Sequence, residues 1–104
     1  MMVQRKGLAE HDQRMVGKRL IALREARDWK QITFAKKLGV SAQRLNNWEN
    51  GNNLIRIEWA IRVGEITKTH IMFIYQGIMD SRIEPELIIR LTEELRKLGP
   101  DYAQ

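Results

Sequence analysis

Gln43, Arg44, Asn46, Asn47 and Asn50 stand close together in the chain and carry groups that can hydrogen-bond the edges of nucleic-acid bases. A primary amide offers both donors and an acceptor, so it can pair bidentately with adenine; a guanidinium can do the same with guanine. Ala42 beside them presents a methyl group that suits the methyl of thymine. At about 100° per residue of α-helix, Gln43, Asn47 and Asn50 share one side, flanked by Ala42, Arg44 and Asn46. Leu45, Trp48 and Glu49 lie nearly opposite. The pattern is that of a short helix with one face for a core and an amide-rich face for the major groove. A polar outer face also suits plain solvent, so the surrounding elements have to discriminate.

Those elements are well marked. Ser41 is a preferred N-cap, Val40 and Leu45 form a hydrophobic staple across it, and Gly51 supplies the stop. Upstream, Val16, Leu20 and Leu23 recur at four and three, with Met15 and Ile21 beside them, which predicts a first amphipathic helix over Gln13 to Arg27. Asp28 ends it, and Trp29 in the turn is expected to plug the core. A second helix over Gln31 to Leu38 buries Phe34, Ala35 and Leu38; Lys30 stands at its cap position and cannot accept a backbone N–H bond. Gly39 closes it in the left-handed conformation. Two short helices joined through Gly-Val-Ser form a helix-turn-helix.

Beyond it, Ile57, Ala60, Ile61 and Val63 predict a fourth helix, in which Gly64 allows a close helix crossing. Thr69 or His70 can cap a fifth, whose Ile71, Ile74 and Tyr75 pack on the first before Gly77. Pro85 opens a last helix that runs to Leu98 and stops at Gly99-Pro100. In it Ile88, Leu91, Leu95 and Leu98 repeat at three, four and three, the seam spacing of a helix pair. The stripe fits a dimer interface and a return onto its own domain equally well. Residues 1–12, with Arg5 and Lys6, read as a flexible tail.

Arg24, Gln31, Phe34-Ala35, Leu38-Gly39-Val40-Ser41 and Leu45-Asn46-Asn47-Trp48-Glu49-Asn50-Gly51 also follow the residue types and spacing of a known family. With Tyr75-Gln76-Gly77 as its closing Tyr-x-Gly, the chain resembles the lambda-repressor-like (Cro/XRE-type) helix-turn-helix family from Arg24 to Gly77. It departs at Lys30, where the family usually has Ser or Thr, and at Asn52-Asn53-Leu54-Ile55, where a Pro is common. The resemblance implies an all-α fold: a five-helix DNA-binding domain over residues 13–78, followed by a C-terminal amphipathic helix over 84–98. It further implies that Gln43 and Asn47 read base edges, with Ala42 and Arg44 beside them. By the same matching, Gln31 grips a phosphate and braces the reader, and Asn46, Asn50, Asn52, Asn53 and Arg56 hold the DNA backbone. Arg24 and Glu49, which helical spacing places on inward faces, match the family's ion pair tying the recognition helix to the first helix.

The charge points the same way independently. Net charge is +5; through Arg56 there are twelve Lys or Arg against five acids, and from Ile57 onward six against eight. A basic half beside a slightly acidic one suits a polyanion bound at one end. There are no cysteines, hence no disulfide framework and no thiolate metal site. His11 and His70 stand far apart without further ligands, so surface or cap roles are expected and no metal or other cofactor. No stretch approaches the ~18 apolar residues needed to span a bilayer, and the N-terminus lacks the apolar core of a secretory signal, which predicts a soluble, cytoplasmic protein. No nucleophile elbow, phosphate loop or zinc-protease motif is present, so a non-enzyme is expected.

Three functions from different classes fit. The first, implied by the resemblance, is a sequence-specific transcriptional regulator of bacterial or phage type, a homodimer on a pseudo-palindromic operator of double-stranded DNA. The second is a DNA-binding antitoxin with a toxin partner, and the third a protein-interaction bundle that binds no DNA.

Overall fold

Apolar residues recurring at three and four positions build a protein of helices alone among the described residues. A computed structural model describes residues 5–99, with side chains from residue 12 onward. The elements are α1 (Arg5–Ala26), α2 (Gln31–Leu38), α3 (Ala42–Glu49), α4 (Ile57–Thr67), α5 (Ile71–Gln76) and α6 (Pro85–Lys97). α1 is the central rod: α3, α5 and α6 all pack on it, while α2 packs on α3 and α4. Val16, Leu20 and Leu23 of α1, Phe34 and Leu38 of α2, Leu45 and Trp48 of α3 and Phe73 and Ile74 of α5 meet in one buried cluster.

Several starts and stops follow the local chemistry. Lys30 caps α2 with no side-chain bond, whereas the Ser41 side chain accepts from the Arg44 N–H at 3.1 Å. Gly39, at φ 86°, ends α2, and its N–H bonds back to the Ala35 carbonyl. His70 caps α5 through Nδ1, which accepts from the Phe73 N–H at 3.3 Å, and its Nε2 meets Asp80 Oδ1 at 3.2 Å. Arg82 beside Asp80 holds that carboxyl well below the usual carboxylate range, first through its side-chain hydrogen bonds. The Tyr75 hydroxyl donates to the Ile55 carbonyl at 2.7 Å and fastens the loop between α3 and α4. Burial first, then the charge of Glu58, pushes this phenol above its ordinary range.

Arginines close the carbonyl ends of other helices, where unpaired C=O groups carry partial negative charge. Arg62 Nε donates to the Leu38 carbonyl at the end of α2 (3.0 Å), Arg27 to the Thr67 carbonyl of α4 (2.7 Å) and Arg19 to the Ile74 carbonyl of α5 (3.2 Å). Part of the basic excess in the first half of the chain is therefore scaffold.

The structure departs from the sequence expectations at four places. α1 begins at Arg5, not Gln13, because Lys6, Leu8, Ala9 and Glu10 are good helix formers that carry the helix back into the expected tail; residues 1–4 lie outside the described residues. Ile57 and Ile61 are 53% and 47% exposed. The buried face of α4 is instead Ala60, Val63, Gly64 and Thr67, whose small side chains let the helix sit close. Gly64 serves a turn rather than a helix crossing: a Cβ there would stand 3.2 Å from His70 Cα and 3.3 Å from the Thr69 carbonyl oxygen. Finally, α6 lies on α1 and buries Leu87, Leu91 and Leu95. Leu91 and Leu95, half of the expected seam, are thus core residues; Ile88 and Leu98 are only partly buried against the same cluster.

Candidate nucleic-acid interface

The helix that carries the amide face is held rigidly from behind. Glu49 is buried on α3, its side chain 2% exposed, and Arg24 of α1 meets it with two bonds, Nε to Oε2 at 2.8 Å and Nη2 to Oε1 at 3.1 Å. A bidentate pair fixes direction as well as distance. Gln31, the first residue of α2, donates through Nε2 to Glu49 Oε1 at 2.8 Å and to Asn46 Oδ1 at 3.3 Å. One buried carboxylate therefore ties together the three helices of the motif. Gln31 and Asn46, both matched to phosphate contacts, bond to each other and are partly buried.

Gly17 completes the support, and the sequence reading missed it. A Cβ there would stand 2.5 Å from the Glu49 carbonyl oxygen and 2.6 Å from that of Trp48, so α1 and the end of α3 touch backbone to backbone. A glycine amid an otherwise regular helical pattern was the available signal. Gly51, at φ 77°, ends α3 beside Arg14, whose Cα a Cβ would approach at 2.9 Å.

On the opposite side of α3 the exposed groups form a ladder. Gln43 Nε2 donates to Asn47 Oδ1 at 3.3 Å, and Asn52 Nδ2 donates to the same oxygen at 3.3 Å. The Asn47 carbonyl oxygen also accepts from the Asn52 N–H at 2.9 Å, which folds the loop back onto the helix. Asn47 Oδ1 thus accepts two bonds, while its NH2 group and the Gln43 carbonyl oxygen bond to no described residue. Ala42, Asn50 and Asn53 are exposed near this ladder, and Arg56 is exposed beside Glu58, whose Oε2 it meets at 3.3 Å. Arg44 is exposed too, yet its guanidinium carbon lies 5.3 Å from the Trp48 ring and 5.2 Å from the Trp59 ring, towards α4. The structure thus gathers Ala42, Gln43, Asn47, Asn50 and Asn52 at one surface, with Arg44 at its edge and Gln31 and Asn46 behind it.

No titratable cluster of the kind that holds a metal occurs among the described residues, and no described helix is long and apolar enough to cross a membrane. A family model described as helix-turn-helix matches residues 20–74, which run from within α1 through α5 and exclude α6. No curated protein and no solved structure matches the chain. The matched segment holds the Arg24–Glu49–Gln31 contacts behind α3, covers more than half of the chain, and represents a class of DNA-binding regulators. The chain belongs to the Cro/C1-type helix-turn-helix family, also called XRE.

Proposed function

We propose that this protein is a sequence-specific transcriptional regulator of bacterial or phage type, which lays α3 in the major groove of double-stranded DNA. The observation that carries this reading is the ladder Gln43–Asn47–Asn52 on the outer face of a helix whose inner face is pinned by Arg24, Glu49 and Gln31. Preorganised amides lose little freedom when they meet a base edge. Gln43 and Asn47 read bases with Ala42 beside them; Asn50, Asn53 and Arg56 hold phosphates at the rims, and Gln31 and Asn46 act mainly as braces.

A helix this short covers only a few base pairs, so specificity requires two copies on a pseudo-palindrome with half-site centres about 10 bp or a multiple apart. An antitoxin needs a second surface for its toxin, and the leucines of α6, the apolar stripe available for one, turn onto α1. Selection of bound fragments from a random duplex pool tests the proposal. One consensus with paired half-sites is expected, and the logarithm of affinity should fall linearly with the logarithm of salt, by about 0.9 per phosphate neutralised. A pool that yields no consensus, or an affinity flat in salt, removes this function.

A further inference from the structure

We propose that Trp59 of α4 is a positioning residue for DNA binding: with Trp48 it holds the Arg44 guanidinium at the α4 edge of the reading face, where Arg44 grips a backbone phosphate rather than a base. The inference rests on the DNA reading above and assigns a role within it to a residue outside the helix-turn-helix.

The geometry begins with the spacing of α3. Arg44 and Trp48 are four residues apart and therefore neighbours along the helix, and Trp48 faces the core. The Arg44 side chain follows Trp48 towards α4 and away from the ladder of Gln43 and Asn47. There it meets Trp59, whose ring centroid is 6.3 Å from that of Trp48 at a tilt of 43°. The guanidinium carbon lies at nearly equal distance from both rings, 5.3 and 5.2 Å. Trp48 is buried and Trp59 half-buried, so the two indoles form a packed platform under the exposed Arg44 side chain.

A guanidinium held over ring faces by its charge keeps the N–H groups around its rim for other partners. Arg44 makes no hydrogen bond or ion pair with any other described residue through that rim, so its charge and its donors are available. A helix seated in the major groove turns its outermost side chains to the bases at the groove floor and its flanks to the phosphates at the walls. Gln43 and Asn47 occupy the first position and Arg44 the second. Contact with DNA also removes water from the stack, and a cation–π contact strengthens when desolvated. The indoles thus reduce the freedom Arg44 must lose on binding and gain strength when it binds.

The test uses the full chain and a duplex carrying the consensus recovered from the random pool, with affinity measured across a salt series. Arg44→Met should lower affinity, reduce the salt slope by about 0.9 and leave the preferred sequence unchanged. Trp59→Leu should weaken binding about three- to tenfold with the same preferred sequence, and Trp59→Phe, which keeps a ring, should recover most of the loss. In an Arg44→Met background, Trp59→Leu should cost nothing more, because the two act as one unit. Arg44→Lys, at an exposed position, keeps the charge without the planar stack; it should bind more weakly at an unchanged slope, and it decides the matter if Trp59→Leu does not fold. Equal losses from Trp59→Leu in both backgrounds overturn the proposal, as does an Arg44→Lys protein that binds like the parent. A changed base preference in Arg44→Met makes Arg44 a base reader and overturns it also. If the parent protein binds no duplex at all, the DNA reading itself fails, an outcome distinct from the others.

Discussion

α3 and α6 are both amphipathic, both lie on α1, and both bury one face, yet they do opposite things with their outer faces. On α6 the charges answer one another or their surroundings: Arg96 meets Glu93 at 3.3 Å, Lys97 meets Glu94 at 3.3 Å and Arg90 meets Asp28 at 3.2 Å. On α3 the outer amides Gln43 and Asn47 bond to each other and to Asn52 of the following loop, and the rim of Arg44 is unengaged. Their attachments differ too. α6 is held by the burial of its leucines and one exposed ion pair, Arg90 with Asp28, whereas α3 is held by a buried ion pair and by backbone contact at Gly17. Burial tolerates small shifts, and an ion pair with backbone contact does not. α3 has the attachment that fixes its rotation.

Substitutions can break this contrast in order of expected size. Leu91→Asp together with Leu95→Asp places two charges in the interface between α6 and α1. Each lost leucine alone is worth about 2–5 kcal/mol, so the double variant should unfold, as seen by loss of a cooperative melt. A folded, monomeric double variant would return α6 to the surface as a dimer seam. Glu49→Gln or Arg24→Met strands one buried partner and should cost on the order of 3 kcal/mol in thermal unfolding. Should Glu49→Gln melt like the parent and bind a different sequence, Glu49 faces DNA and the contrast fails.

Gly17→Ala sharpens the comparison because it adds a single methyl. The new Cβ meets backbone, which cannot rotate away, so α3 must shift; overpacking costs about 1–3 kcal/mol, offset in part by the ~0.5–1 kcal/mol that Ala gains in a helix. Operator affinity should fall more than stability does, and equal affinity in the variant would show that the placement of α3 is not critical. Gln43→Ala should leave the melt nearly unchanged and remove about 1–3 kcal/mol of discrimination at one base pair. A stability loss in that variant would assign the amide ladder to the scaffold.

The motif itself was legible because its signals are local. Gly39, Ser41 and Gly51 each dictate a backbone conformation or a cap, and their spacing fixes the limits of α3 to within a residue. The inward facing of Glu49 followed from its phase with Leu45 and Trp48. What escaped depends on contacts distant in sequence. Ile57 and Ile61 look like core on helical spacing, but α4 sits close enough to its neighbours that a narrow strip of small residues fills the interface. Whether the leucines of α6 seek a second chain or α1 depends on the path of the connection after Gly77, which no residue type announces. The Arg44 stack needs Trp59, fifteen positions away on another helix.

The placement of α1 under α3, α5 and α6 has a kinetic corollary. Local pairs such as α2 with α3 can form early, since little loop entropy opposes them. The contacts between α1 and α6 join segments some sixty or more residues apart, and the bond from Arg90 to Asp28, just past the end of α1, spans a similar separation. During synthesis the leucine-facing side of α1 stays uncovered until α6 has left the ribosome, which at about 5–20 residues per second takes a few seconds. α6 therefore acts as a late clasp, and protection of α1 amides from hydrogen exchange should rise in step with its docking.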